Sequence, residues 1–183
     1  MKTFNELRDQ ISIELEKLNW QNEPRGLYEP IAYELSIGGK RVRPVLTMMA
    51  CNLFSDDLKA AVAPALGIEV FHNFTLLHDD IMDRADIRRG LPTVHKKWND
   101  NTAILSGDVM LIVAYQLIAQ TPMPHLKEVL DLFSKTAAEI CEGQQYDVDY
   151  EARKKVEIDE YIEMIRLKTS VLLACALKIG AIL

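Results

Sequence analysis

The sequence predicts an all-α helical bundle on two observations. Apolar residues recur three and four positions apart along most of the chain, and no stretch alternates apolar and polar residues as a half-buried strand would. A third observation, that no repeat, low-complexity run or linker interrupts the pattern, makes residues 1–183 a single domain. Phe4, Leu7, Ile11, Leu15 and Leu18 mark one face of a first helix. A second runs from about Pro24 to Gly38-Gly39, a pair suited to a C-terminal cap. Pro44 fits the first turn of a third, through Val45, Leu46, Met49 and Leu53. Ser55-Asp56-Asp57 opens a long apolar segment reaching Asp83, with a kink or break expected at Pro64. Residues 84–97, containing Gly90 and Pro92, read as a polar loop. Helices are expected at 101–120, 125–152 and 157–183, separated by Thr121-Pro122-Met123-Pro124 and by the charged residues near Arg153.

At 183 residues and 49% hydrophobic, the chain can bury one sizeable core. Its net charge of -6 argues against nucleic acid as a partner, which would leave a basic footprint. Cys51, Cys141 and Cys175 lie in apolar helical stretches, as expected in a reducing compartment rather than a disulfide framework. The N-terminus has no leader pattern, and the apolar runs at 109–119 and 170–177 are shorter than the ~20 residues that span a bilayer. The expectation is a soluble, cytoplasmic protein without a transmembrane segment.

Asp79, Asp80 and Asp83 end the apolar segment that contains Phe74-Thr75-Leu76-Leu77. Residues four apart share a helix face, so Asp79 and Asp83 repel, and a helix C-terminus further disfavours negative charge. Such a group becomes tolerable beside cations. Oxygen donors alone, without a Cys or His pattern, suit Mg²⁺ shared with a phosphate. His72 lies two turns earlier on the same face. Gly38-Gly39-Lys40-Arg41-Val42-Arg43-Pro44 places three cations on a turn ahead of a helix, and Arg84, Arg88 and Arg89 follow the aspartates. Backbone NH groups and guanidinium forks both suit a diphosphate. Two basic sets around one acidic set fit two anionic substrates, one of them bridged by metal. Each basic set alone is more often a solvated turn, and the aspartates alone are as readily a solvated helix end; the combination is what points to a site.

These strings resemble the trans-isoprenyl diphosphate synthase (polyprenyl synthetase) family. Residues 38–44 resemble its GGKRxRP motif. Asp79-Asp80-Ile81-Met82-Asp83, with Arg88-Arg89-Gly90-Leu91-Pro92-Thr93 behind it, resembles the first DDxxD and its trailing RRGxPT. Gly143-Gln144-Gln145-Tyr146-Asp147 is similar to GQxxD, and Lys168-Thr169 to the KT pair. The resemblance implies the isoprenoid synthase fold, of which these residues are the N-terminal helices. It also implies a Mg²⁺-dependent prenyltransferase that condenses isopentenyl diphosphate with an allylic diphosphate, as a homodimer. Lys40, Arg43, His72 and Arg89 would hold isopentenyl diphosphate. Asp79 and Asp83, with Asp147, would hold Mg²⁺ and through it the allylic diphosphate. Arg88 and Lys168 would contact that diphosphate directly, Asp80 would support the cluster, and Gln144 and Thr169 would lie near the reacting carbons.

The family's second aspartate-rich motif is not among these residues, so the chain reads as C-terminally truncated and is expected to lack condensation activity alone. Two other readings are a class I terpene cyclase, which has no use for the GGKRxRP turn, and a non-catalytic partner subunit, whose first aspartates would be degraded. Product length is expected to depend on the positions five and four before Asp79, Phe74 and Thr75. In the family, an aromatic residue at either acts as a floor. Large Phe74 and small Thr75 resemble enzymes making the twenty-carbon geranylgeranyl diphosphate, with the fifteen-carbon farnesyl product as runner-up. Thr75 lies nearer the Asp79 face of the helix, so the floor rests either on Phe74 reaching in from the side or on a residue of a neighbouring helix.

Overall fold

The computed structural model describes residues 1–183. Its helices are α1 (Phe4–Glu16), α2 (Arg25–Ser36), α3 (Val42–Asn52), α4 (Lys59–Met82), the single turn α5 (Val94–Lys97), α6 (Asp100–Ile118), α7 (Met123–Glu151), α8 (Ile158–Ile165) and α9 (Val171–Ile182). The all-α expectation holds. Local chemistry sets several boundaries. Thr3 and Glu6 form a capping box at the start of α1, Asn99 accepts from the Thr102 amide at the start of α6, and Gly38 follows α2 at φ +85°.

Three expectations are corrected. Helix α4 runs unbroken through Pro64, which is buried with Ala61, Ala65 and Ile68 around it. Tertiary packing offsets a lost helical hydrogen bond that would cost about 3 kcal/mol in isolation. Residues 84–97 are not only loop. Ile87–Arg88 (β1) and Leu91–Pro92 (β2) pair antiparallel, and Arg89 and Gly90, both at positive φ, make the two-residue turn between them. Two-residue strands are too short to show alternation. The expected continuous helix 157–183 is α8 and α9 joined by a π-helical turn, Arg166–Ser170.

Helix α4 is the centre of the bundle, packed most extensively on α6, while α3 packs on α9. Phe71, Phe133, Leu7, Ile11, Ile31 and Met48 are among the largest fully buried side chains. By length and composition alone, α4 and α6 each contain a window apolar enough to cross a membrane, longer than the runs at 109–119 and 170–177. The apolarity of α4 is used in the core, where 61% of its window is buried; in α6 the share is 39%, and Ile104, Leu105 and Ile112 are exposed.

Candidate active site

The turn after α2, the first turn of α3, the middle of α4 and the β1–β2 turn meet at one cleft lined by Lys40, Arg43, His72 and Arg89. Gly39 keeps it open: a Cβ there would lie 2.9 Å from Nη1 of Arg89. Arg43 Nη1 donates to His72 Nε2 at 3.1 Å, so the ring is neutral with Nδ1 protonated. Burial, and then the guanidinium groups of Arg43, Arg89, Arg88 and Arg41, press the His72 pKa from 6.5 to about 3. The positive charge of the cleft therefore resides on lysine and arginine. Arg43 Nε is buried without a partner. Arg41, the middle cation of the same turn, is spent internally: Nη1 donates to Glu69 Oε1 at 2.6 Å and Nη2 to the Leu35 carbonyl at 2.8 Å.

Three turns of α4 beyond Glu69 begin the aspartates. Asp80 is buried and gripped by Arg88, with Nε 3.0 and 2.9 Å from its two carboxylate oxygens and Nη2 2.7 Å from Oδ1. Arg88, expected to contact diphosphate, is thus already the counter-ion of Asp80, and lies 3.7 Å from Asp79. Lys168 Nζ donates to Asp79 Oδ1 at 3.1 Å and to Asp147 Oδ2 at 2.6 Å, joining α4 to α7. Burial and the nearby Asp79 raise the Asp83 pKa, against the pull of Lys168. Asp79, Asp83 and Asp147 share this region but do not close into a three-ligand cage. The donor set is carboxylate oxygen only, and an ammonium already sits between two of its members. Such a set fits a hard divalent cation that takes its remaining ligands from substrate and water.

Arg43, His72, Asp79, Gln144, Lys168 and Thr169 line one cavity, so the basic cleft and the acidic region are continuous. Thr75 lines this cavity and also an adjoining groove with Phe74, Ile140 and Val148. Phe74 lines the groove, its ring 4.8 Å from that of His78 and 5.5 Å from that of Phe71. The π turn sets the position of Lys168 and Thr169. A π turn widens the helix by a residue and recurs at functional sites. Here it presses on α7 at Gly143, where a Cβ would collide with the Lys168 amide.

A family model described as polyprenyl synthetase matches residues 24–183. The chain belongs to the polyprenyl synthetase family. It is 48% identical over 163 residues to the geranylgeranyl diphosphate synthase of Methanosarcina mazei, covering 87% of this chain and 50% of that protein. It is 41% identical over 179 residues to the geranylfarnesyl diphosphate synthase of Natronomonas pharaonis, covering 88% and 52%. A crystal structure of a geranylgeranyl pyrophosphate synthase superposes with a TM-score of 0.95 at 52% identity, over 100% of this chain and 56% of that one. The chain spans about half the length of the curated relatives it matches.

One residue near this candidate site was missed in the sequence. Glu34 of α2 is 1% exposed, and neither carboxylate oxygen has a partner. Its spacing was the available signal, since Glu34 falls within the buried stripe of Pro30, Ile31 and Leu35. Burial first, then the Asp80 charge, raise its pKa from 4.5 to about 7, against Arg88 and Arg89. Between those values the folded protein keeps a proton that the unfolded chain has released, so stability falls as pH rises from 4.5 through 7. The loss is about 3 kcal/mol. In urea denaturation across pH 4.5–8, the stability of Glu34→Gln relative to wild type should therefore rise with pH by about that amount; a flat difference would show that Glu34 ionises freely.

Proposed function

We propose that this site joins isopentenyl diphosphate to an allylic diphosphate, in a chain completed by the second aspartate-rich motif that the family resemblance requires. The continuous cavity between the basic cleft and the acidic region supports the assignment, because a condensation needs two diphosphates anchored apart with their carbons meeting between them. Lys40, Arg43 and Arg89 neutralise the isopentenyl diphosphate, and His72 orients Arg43. Asp79, Asp83 and Asp147 would hold Mg²⁺, which when bound supplies charge neutralisation to the departing diphosphate. Lys168 meets the same developing charge. The allylic C–O bond breaks, the isopentenyl double bond attacks the resulting carbocation, and the proton lost goes to the released diphosphate, as the resemblance implies. Ile140, Leu76 and Leu172 form the apolar walls that keep water from the cation. The exposed Ile104, Leu105 and Ile112 of α6 support the implied homodimer.

Calorimetric titration of the 183-residue chain with isopentenyl diphosphate tests the basic cleft. Arg43→Ala should weaken binding about 30- to 100-fold, the worth of a lost charge-assisted fork. Equal affinities, or no binding by the wild type, would remove the cleft from the reading. Incorporation of labelled isopentenyl diphosphate by the completed chain tests the condensation itself.

For product length, the position of Phe74 in the groove beside Thr75 supports the floor assigned to it. Phe74→Ser in the completed chain should extend the products beyond twenty carbons by at least one five-carbon unit, sized by chromatography, with the metal requirement unchanged. Products of unaltered length would place the stop on another residue.

A further inference from the structure

Lys168 is the one cation that the structure shares between two of the carboxylates assigned to Mg²⁺. Its ammonium bonds Asp79 of α4 and Asp147 of α7 at once. The neighbouring Arg88 offers no substitute, since its fork is committed to the buried Asp80. The same Lys168 side chain lines the cavity with Arg43 and His72, where a diphosphate would supply it with other oxygens. A lysine stem is flexible, and its compact charge exchanges partners without the geometric demand of a guanidinium.

We propose that Lys168 is a built-in competitor of the divalent cation. In the empty site it takes Asp79 and Asp147, and the diphosphate is what draws it off them. Metal alone must displace the ammonium and so binds weakly. Metal with diphosphate binds well, because Lys168 exchanges two carboxylates for phosphate oxygens while the carboxylates pass to the metal. The coupling is reciprocal, so the metal also tightens the diphosphate by the same factor. The site thereby favours metal and allylic substrate arriving together over metal loading in advance. This inference rests on the reading of Asp79 and Asp147 as metal ligands.

The test titrates the 183-residue chain with Mn²⁺ alone, following free Mn²⁺ by paramagnetic resonance. Lys168→Met should bind Mn²⁺ about tenfold more tightly than wild type, a typical coupling between sites. Lys168→Arg, which keeps the charge, should stay near the wild type. Lys178→Met removes an exposed lysine from α9 and should change the affinity less than about twofold, the allowance for screened long-range charge. Thermal melting of each variant confirms that it is folded. Adding inorganic pyrophosphate, with its own Mn²⁺ complex subtracted by a protein-free control, should tighten Mn²⁺ binding in both proteins and by a larger factor in wild type than in Lys168→Met. An unchanged or weaker Mn²⁺ affinity in Lys168→Met overturns the competition, as does an equal gain in Lys178→Met. If no variant binds Mn²⁺, the ligand reading falls with it. A failed condensation assay alongside the expected Mn²⁺ pattern would overturn the proposed reaction and leave the competition standing.

Discussion

Asp83→Ala in the completed chain should lower condensation turnover by about 10²- to 10³-fold, the scale on which a group stabilising transition-state charge acts. The empty protein should meanwhile be no less stable. Asp83 caps the C-terminal end of α4, is exposed, and accepts no side-chain hydrogen bond there. It stands where the helix macrodipole opposes negative charge and one turn from the like charge of Asp79. Its carboxyl is accordingly held above its usual pKa, by partial desolvation first and by Asp79 second. Removing it relieves repulsion, so the melting temperature should hold or rise while activity collapses. That opposition of signs is characteristic of a residue kept for chemistry at a cost to the fold. Steady-state rates with geranyl diphosphate in excess Mg²⁺, beside a thermal melt of the same preparation, give both readouts. Near-normal turnover would take Asp83 out of the metal site, and a large loss of stability would make it a structural carboxylate.

The helices and the α4 part of the candidate site were legible because both follow short periods. The spacing of Asp79 and Asp83, and of His72 before them, is a property of one helix and can be counted along the chain. Bringing Lys40, Arg43 and Arg89 to His72 was not countable; there the motif resemblance pointed to a cluster that the fold assembles from four separate elements. The π turn at Arg166–Ser170 was invisible, since one widened turn barely shifts an apolar stripe, and with it went the contact at Gly143 that places Lys168. Pro64 misled in the opposite direction, because its local cost is set against burial on every side of α4. Partner choice was the least legible. That Arg88 serves Asp80, and that Lys168 spans Asp79 and Asp147, depends on side-chain directions across β1, α4, α7 and the π turn.

Arg41 shows the same limit with the largest expected effect on stability. By spacing it is one of three cations in Lys40-Arg41-Val42-Arg43, and the family resemblance assigns roles only to Lys40 and Arg43. In the structure Lys40 is exposed in the cleft, whereas Arg41 turns inward from a left-handed backbone, φ 52°, to a Glu69 that is 3% exposed. Arg41→Met leaves that carboxylate buried with Asn73 Nδ2, at 3.2 Å, as its remaining side-chain donor. Breaking a buried pair from one side costs about 3–5 kcal/mol. Lys40→Met should change stability by less than about 0.5 kcal/mol, as exposed substitutions do, and weaken isopentenyl diphosphate instead. Arg41→Met combined with Glu69→Leu removes both charges and should recover most of the loss, because the cost lies in the stranded carboxylate. Urea denaturation of the three variants, with unchanged m-values, separates these outcomes. If Arg41→Met unfolds no more readily than Lys40→Met, the Arg41–Glu69 pair does not hold the α2–α3 turn to α4, and Arg41 belongs with the substrate-binding cations.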